Sequence, residues 1–385
     1  MVKVGIVGVG SISAAHLEGY CTFPDRCRVV AACDTEGERA AERLAGQGLR
    51  IPVYPDLGDL LEHETPDLVS ICTPPFTHRE LAVHALSRGV HVLCEKPMAS
   101  SLQECDAMLG AQHAGGAMLS IVAQNRFRTA LWNLKRLLSQ GAIGRLLHTQ
   151  VNSYWWRGTW EHEGGGCTLN HAVHHIDLLI WLTGMPARVV AMMGNVGHPN
   201  SQVEDLSMAL LEYSDGSFAQ VTSSVVHHGE RQEIILQGTD ARISAPWLVD
   251  AAVTTPGGFP KQNAALEQEL SRRIAVLGEL PREGHAGQID DVLSAIDEGR
   301  PPLVSGTDGR SAIELITSIY KSATTRTSVT LPLTDSDAFY RADTLLQVVP
   351  RYSAGSESQQ SPRDAAVSRC AACRQADPHA VSRKP

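Results

Sequence analysis

The chain has 385 residues, enough for two domains, and its 43% hydrophobic and 19% charged residues are ordinary for a globular enzyme. A net charge of −9 argues against nucleic acid or an anionic membrane as partner, since both need clustered Lys and Arg, and no apolar run reaches the length of a membrane span. Nine cysteines, scattered singly except for Cys370 and Cys373, imply no disulfide framework and suit a reducing cytoplasm.

The first residues, MVKVGIVGVGS, hold one Lys and no separate apolar stretch with a cleavage site, so they read as a strand entering a glycine turn rather than a signal peptide. ISAAHLEGYC continues as a helix and CRVVAACD as a second strand. TEGERAAERLAGQG is a helix closed by glycine, and DLVSICTP, HRELAVHALSRG and HVLCEKP repeat the alternation. AMLSIVAQN supplies one more buried strand. This rhythm predicts an α/β Rossmann domain with a parallel, doubly wound sheet over residues 1–122.

Beyond it, WNLKRLLSQGAIG is a helix with a glycine stop, followed by the strand-like RLLHTQVNSYWW and a helix opening near Cys167. From about residue 188 to 250 the chain reads as strands, with a hairpin signal at Asp215-Gly216. Helices return in QNAALEQELSRRIAVL, GQIDDVLSAIDEG and SAIELITSIYKSATT. Residues 123–350 therefore predict an α+β domain with a large, mainly antiparallel open sheet. Residues 351–385 have little apolar periodicity and read as a disordered tail, whose Cys370 and Cys373, with only His379 nearby, are two exposed thiols rather than a zinc site.

Gly8-Val9-Gly10-Ser11-Ile12-Ser13 follows a strand and opens a helix. The first glycine permits the tight turn and the second lets backbone approach a pyrophosphate, which the helix N-terminus then binds. Ser13 replaces the third glycine of that fingerprint. Asp34 ends the second strand at about the expected distance, where a carboxylate accepts from both ribose hydroxyls and repels a 2′-phosphate. Thr35, Glu36 and Gly37 bring no cation and Arg39 lies a turn further on, so NAD is expected over NADP.

Thr73-Pro74 with His78, then Cys94-Glu95-Lys96-Pro97, then a glycine run and an amide–x–x–x–His segment follow in order, and with the glycine turn they resemble the Gfo/Idh/MocA family of oxidoreductases over residues 1 to about 340. The resemblance implies that Thr73, Pro74, His78, Glu95 and Pro97 line the cofactor, that Lys96 reaches the oxygen of the reacting carbon, and that a cis peptide commonly precedes the proline. It further implies a homodimer or homotetramer formed through the open sheet. Without the family, Lys96 at the C-terminal end of a parallel strand already stands where ligands bind in such sheets.

In GGGCTLNHAVHHID, Asn170 and His174 are spaced i and i+4, and so share a face if the helix is continuous. His171 and His175 form a second such pair, roughly 100° round. The resemblance places the acid/base at His174 and a positioning carboxylate or amide at Asn170; an amide brings no charge and leaves His174 less basic. With Glu161, His162 and Glu163 nearby a metal reading arises, but no His-Glu-x-x-His signature supports it, and none is assigned. His171 and His175 are read as packed or hydrogen-bonded, and Asp177 as fixing a neighbouring element or a histidine tautomer.

Tyr154-Trp155-Trp156-Arg157-Gly158-Thr159-Trp160 concentrates aromatics suited to the C–H faces of a pyranose or cyclitol. Trp155 and Trp160 fit core or interface equally well. Gln124, Asn125 and Arg126, just past the last strand of the first domain, are placed to reach the same pocket, with Gln124 expected to bind the cofactor. Arg126, Trp156, Arg157 and, more weakly, His228 join Lys96, Asn170 and His174 as expected substrate contacts. The expected activity is NAD-dependent hydride transfer to or from a secondary alcohol or ketone of a sugar, sugar derivative or cyclitol. The alternatives are a lyase or isomerase that recycles bound NAD, and a nucleotide-sensing regulator.

Overall fold

A computed structural model describes residues 1–158, 165–341, 349 and 351–352; the expected tail otherwise lies outside the described residues, as does Trp160. In the first half, β1 (Val2–Val7), α1 (Ser13–Cys21), β2 (Cys27–Cys33), α2 (Gly37–Gly46), β3 (Val53–Tyr54), α3 (Leu57–Glu64), β4 (Leu68–Ile71), α4 (His78–Leu86), β5 (His91–Cys94), α5 (Leu102–Gly115) and β6 (Leu119–Ile121) alternate as expected. The six strands are parallel in the order β3-β2-β1-β4-β5-β6. Their apolar runs are covered on both faces, so β4 is buried at every residue.

The second half runs α6 (Thr129–Ser139), β7 (Leu146–Trp156), α7 (Cys167–Asn170), α8 (Val173–Thr183), β8 (Arg188–Gly194), β9 (Leu206–Glu212), β10 (Phe218–Ser224), β11 (Val226–Gly238), β12 (Ala241–Ala245), β13 (Val249–Thr254), β14 (Pro260–Gln262), α9 (Ala264–Val276), α10 (Gly284–Glu298), α11 (Gly306–Thr325) and β15 (Val329–Thr330). Its nine strands form one sheet, β14-β13-β12-β11-β7-β10-β9-β8-β15, antiparallel except where β10 lies parallel to β7. The hairpin expected at Asp215-Gly216 joins β9 to β10, with Gly216 at φ 81°. Buried and exposed residues alternate along β8 and β9: one face packs on helices, and the other exposes Val190, Met192, Met208 and Leu210.

The sequence boundary at residue 122 separates the two sheets but not the packing. α10 was expected with the second domain, yet its Ile289, Val292 and Leu293 share a core with Val4, Ile6 and Leu17 of the first. α11, started by a Ser305–Asp308 capping box, packs against α5, α8 and β8. Helices late in the chain therefore clamp the two sheets around the C-terminal ends of β5 and β6.

Candidate active site

β1 turns at Gly8, whose φ of +87° and whose distance to Thr73, 2.7 Å from a Cβ placed there to Cγ2, admit only glycine. A Cβ at Gly10 would meet nothing, so the loop is open on that side. Ser11 and Ile12 are exposed at the start of α1, while Ser13 is buried and donates to the Gly10 carbonyl at 2.7 Å. Asp34, at the end of β2, accepts from the Val9 N–H at 2.7 Å and the Glu36 N–H at 2.8 Å. Arg39 pairs with Glu36, and it is Arg43, one turn later on α2, that donates to the Val9 carbonyl at 2.7 Å.

These features fit a dinucleotide: an open glycine loop, a helix N-terminus, a carboxylate at the end of the second strand, and Gln124, whose buried Oε1 has no hydrogen-bond partner. Thr73 and the exposed Pro74 stand beside the loop, with Thr77 Oγ1 donating to Thr73 Oγ1 at 2.7 Å. His78 requires a correction. It is fully buried between the carbonyl oxygens of Thr73 and Pro97, each 2.9 Å from a ring nitrogen, so its ring ties those two backbone segments together instead of facing open space. Burial lowers its pKa, and a neutral ring donates to only one of the two.

The Lys96–Pro97 peptide is cis. Glu95, expected to line the cofactor, instead turns its carboxylate inward and is 4% exposed. Its Oε1 lies 3.0 Å from His16 Nε2 and 3.4 Å from His285 Nε2, and its Oε2 accepts the Lys96 N–H at 3.1 Å. Burial alone would raise this carboxyl, but the two histidines overcome it and hold it well below the usual carboxylate range. Among the described residues His16, Glu95 and His285 are the one group with metal-ligand spacing, and the histidines after the glycine run form none.

Lys96 and His174 line one slot of about 20 Å³, room for roughly one water, together with Ile121, Val122 and Ala123 at the end of β6. Lys96 Nζ lies 3.5 Å from the Asn170 carbonyl oxygen. Burial lowers the lysine against the opposing Glu95 charge. Burial, then the Lys96 charge, lower His174 well below its usual value, so its ring is neutral near pH 7.

The single helix expected from Cys167 is broken. α7 ends at Asn170 and α8 starts at Val173, because the Cys167 carbonyl accepts from both His171 and Ala172 at 3.0 Å, the latter a five-residue π-type turn. Asn170 and His174 consequently do not share a continuous helix face. The Asn170 amide turns back, donating to the carbonyls of Gly165 at 2.7 Å and Gly166 at 3.3 Å. What fixes the break lies far along the chain. Glu204 accepts from the Thr168 N–H at 3.0 Å and the Tyr320 hydroxyl at 2.7 Å, and its carbonyl takes the Cys167 N–H at 3.0 Å. A Cβ at Gly166 would sit 2.1 Å from that carbonyl, so the glycine run makes room for Glu204.

Arg126, expected at the substrate, is also placed differently. It is 1% exposed and spends its guanidinium on Asp177 and, at 3.1 Å, Asp308, so it braces α8 against α11. Asp177 thus fixes neighbouring elements, one of its two expected roles. The aromatic stretch stays accessible: Trp156 is 52% exposed and stacks on the exposed His228 at 5.4 Å, and Tyr154 stacks on His227 at 4.3 Å. Arg157 is exposed, with its guanidinium 5.6 Å from the Trp155 ring, which in turn packs on His171.

A dinucleotide loop, with a lysine and a neutral histidine facing one slot beside it, is the apparatus of a nicotinamide-dependent oxidoreductase. Residues 2–122 match the family model described as "Oxidoreductase family, NAD-binding Rossmann fold" and residues 135–331 its "C-terminal alpha/beta domain". The chain belongs to this Gfo/Idh/MocA family. It is 29% identical over 254 residues to a 2,7-anhydro-N-acetylneuraminate hydratase of Mediterraneibacter gnavus, covering 63% of this chain and 66% of that one. It is 24% identical to the myo-inositol 2-dehydrogenase of Thermotoga maritima, over 86% of this chain and 98% of the other. The WlbA dehydrogenase from Bordetella pertussis, solved with NADH and UDP-GlcNAcA, superposes with a TM-score of 0.73 at 26% identity, over 86% of this chain and 99% of that one.

Proposed function

We propose that the protein uses NAD rather than NADP to oxidise a secondary alcohol of a sugar, sugar derivative or cyclitol, or to reduce the corresponding ketone. The observation that carries this reading is the pairing of Lys96 and His174 on one slot at the C-terminal ends of β5 and β6. Bound NAD would supply the hydride acceptor, held by the loop from Gly8 to Ile12, by Asp34 and by Gln124. The neutral His174 takes the hydroxyl proton, and Lys96 donates a hydrogen bond to the same oxygen and stabilises its developing negative charge. Trp156 and His228 offer a stacking face to the ring, and Arg157 a cation. Asp34, with both carboxylate oxygens engaged beside Val9 and Glu36, favours an unphosphorylated ribose.

The test is nicotinamide absorbance on mixing protein and NAD with free sugars, glycosides, cyclitols and nucleotide sugars. NADH growth that disappears in His174→Ala and ignores a chelator supports the reading. A second reading, a lyase or isomerase that recycles its NAD, is favoured by the hydratase relative; substrate loss without NADH release would select it. The apolar outer face of β8 and β9, with Val190, Met192, Met208 and Leu210 exposed, supports a homo-oligomer, which sedimentation of the wild type against Met192→Glu tests. No helix among the described residues is long and apolar enough to cross a membrane, and all seven described cysteines are free, which supports a reducing cytoplasm.

A further inference from the structure

Residues 195–205, which join β8 to β9, fold around one side chain. Asn195 Nδ2 donates to the carbonyls of His198 and Ser201 at 2.9 Å and of Val203 at 3.1 Å, and its Oδ1 accepts the His198 N–H at 3.1 Å. The loop ends on two adjacent carboxylates, Glu204 and Asp205, which are 1% and 0% exposed. Carboxylates persist at such depth only where donors surround them. Glu204 holds α7 through the Thr168 N–H. Asp205 faces a different element.

Asp205 Oδ1 accepts the Val196 N–H and Oδ2 the Gly197 N–H, each at 2.8 Å, and Oδ2 also lies 2.9 Å from His198 Nδ1. The other ring nitrogen, His198 Nε2, lies 2.7 Å from the Arg157 carbonyl oxygen just past the end of β7. His198 is 4% exposed, so this bridge runs inside the protein. Both of its partners can only accept, and the ring satisfies both when each nitrogen carries a hydrogen. The backbone repeats the link: the Arg157 N–H donates to the Val225 carbonyl at 2.9 Å, and the Val225 N–H to the Asp205 carbonyl at 3.0 Å.

The exposed Arg157 side chain has no such anchor of its own. Its guanidinium makes no ion pair or hydrogen bond among the described residues and lies 5.6 Å from the Trp155 ring. Its place is therefore set by its backbone and by that ring, and freedom left to a long side chain costs affinity when a ligand orders it. Trp155 packs on His171 at 5.3 Å, at the break between α7 and α8. The stack of Arg157, Trp155 and His171 thus runs between the two places that Asp205 and Glu204 fix.

We infer that His198 and Asp205 are positioning residues for substrate binding. They act through the Arg157 carbonyl to hold the guanidinium over Trp155, where it donates to a ring hydroxyl or an anionic substituent of the sugar; neither touches the reacting atoms. This rests on the proposed role of Arg157 as a substrate contact.

The experiment compares wild type, His198→Ala, His198→Gln, Arg157→Ala and the double variant His198→Ala/Arg157→Ala in steady-state kinetics, with the sugar or cyclitol that yields NADH, and in amide hydrogen exchange without substrate. In His198→Ala, KM should rise about tenfold, the size of one lost hydrogen bond, while kcat and NAD affinity stay within about twofold. His198→Gln keeps a donor for the Arg157 carbonyl and should recover most of that loss. The double variant should have the KM of Arg157→Ala alone, because His198 acts through Arg157. The amides of Arg157 and Val225 should exchange faster in His198→Ala while those of α8 stay protected. Unchanged exchange at these amides, a kcat that falls as much as KM rises, or additive KM effects in the double variant overturn the inference. Unchanged KM in His198→Ala beside a raised KM in Arg157→Ala sinks the inference alone, whereas unchanged KM in Arg157→Ala sinks the substrate contact on which it rests.

Discussion

Arg126 grips Asp177 at two points, Nε to Oδ2 at 2.9 Å and Nη2 to Oδ1 at 2.7 Å, in a pair almost wholly removed from solvent. Taking away one partner leaves the other charge buried and unpaired. Arg126→Ala should therefore lose about 3–5 kcal/mol of stability, read as a lowered denaturant midpoint. If the midpoint holds and only KM rises, Arg126 contacts substrate after all.

His174 is lowered by burial and by the Lys96 charge, so the acid limb of kcat/KM for alcohol oxidation should fall below the ordinary histidine range. Lys96 must stay protonated and is itself lowered by burial, which brings the alkaline limb below the ordinary value of 10.5. Asn170→Asp adds a negative charge near the histidine and should move the acid limb to higher pH. A pH–rate profile of the two proteins decides it.

The His174→Ala protein should lose roughly 10²–10⁴-fold in kcat, the usual range for a general base, with NAD affinity unchanged. Parallel loss of NAD binding would mean that the histidine holds the pocket together rather than moving a proton.

Two glycines separate ligand space from packing space. Gly10→Ala meets no atom in the protein, so its stability should stay within about 0.5 kcal/mol of wild type while NAD affinity falls. Gly166→Ala forces a methyl against the Glu204 carbonyl and should cost about 1–3 kcal/mol. Thermal melts with and without NAD distinguish the two.

Asp34→Ala removes a charged acceptor, worth about 1.5–3 kcal/mol. NAD should weaken tenfold or more, and discrimination against NADP should shrink. Fluorescence titration with both dinucleotides measures this; unchanged discrimination would shift the selectivity to Arg43.

What was legible in the sequence was local. The glycine turn, Glu-Lys-Pro and the alternation of strands and helices each occupy a few consecutive residues, and the parallel sheet follows from them. The break between α7 and α8 was not legible, because it is held by Glu204, 36 residues from its partner Thr168, and by Tyr320, 154 residues from its partner Gly166. The fate of Arg126 was hidden for the same reason: its second partner, Asp308, lies 182 residues away. His78 and Glu95 were found as motif residues, but a motif does not say whether a side chain faces the ligand or the scaffold. Arg43 carried one weak signal, its place a turn after Arg39 on the helix following Asp34.

The parallel pairing of β7 with β10 sets a topological condition on catalysis. Parallel neighbours need a crossover, and here the crossover carries α7, α8, β8 and β9, so the histidine proposed as the base rides on the connection itself. Docking β10 closes a loop of more than sixty residues, a slow step in a nascent chain. His174 reaches its place only when that loop has closed, and the dinucleotide sheet gains the last of its core later still, when α10 brings Ile289, Val292 and Leu293 against it, so neither half of the proposed site is finished on a partly synthesised chain.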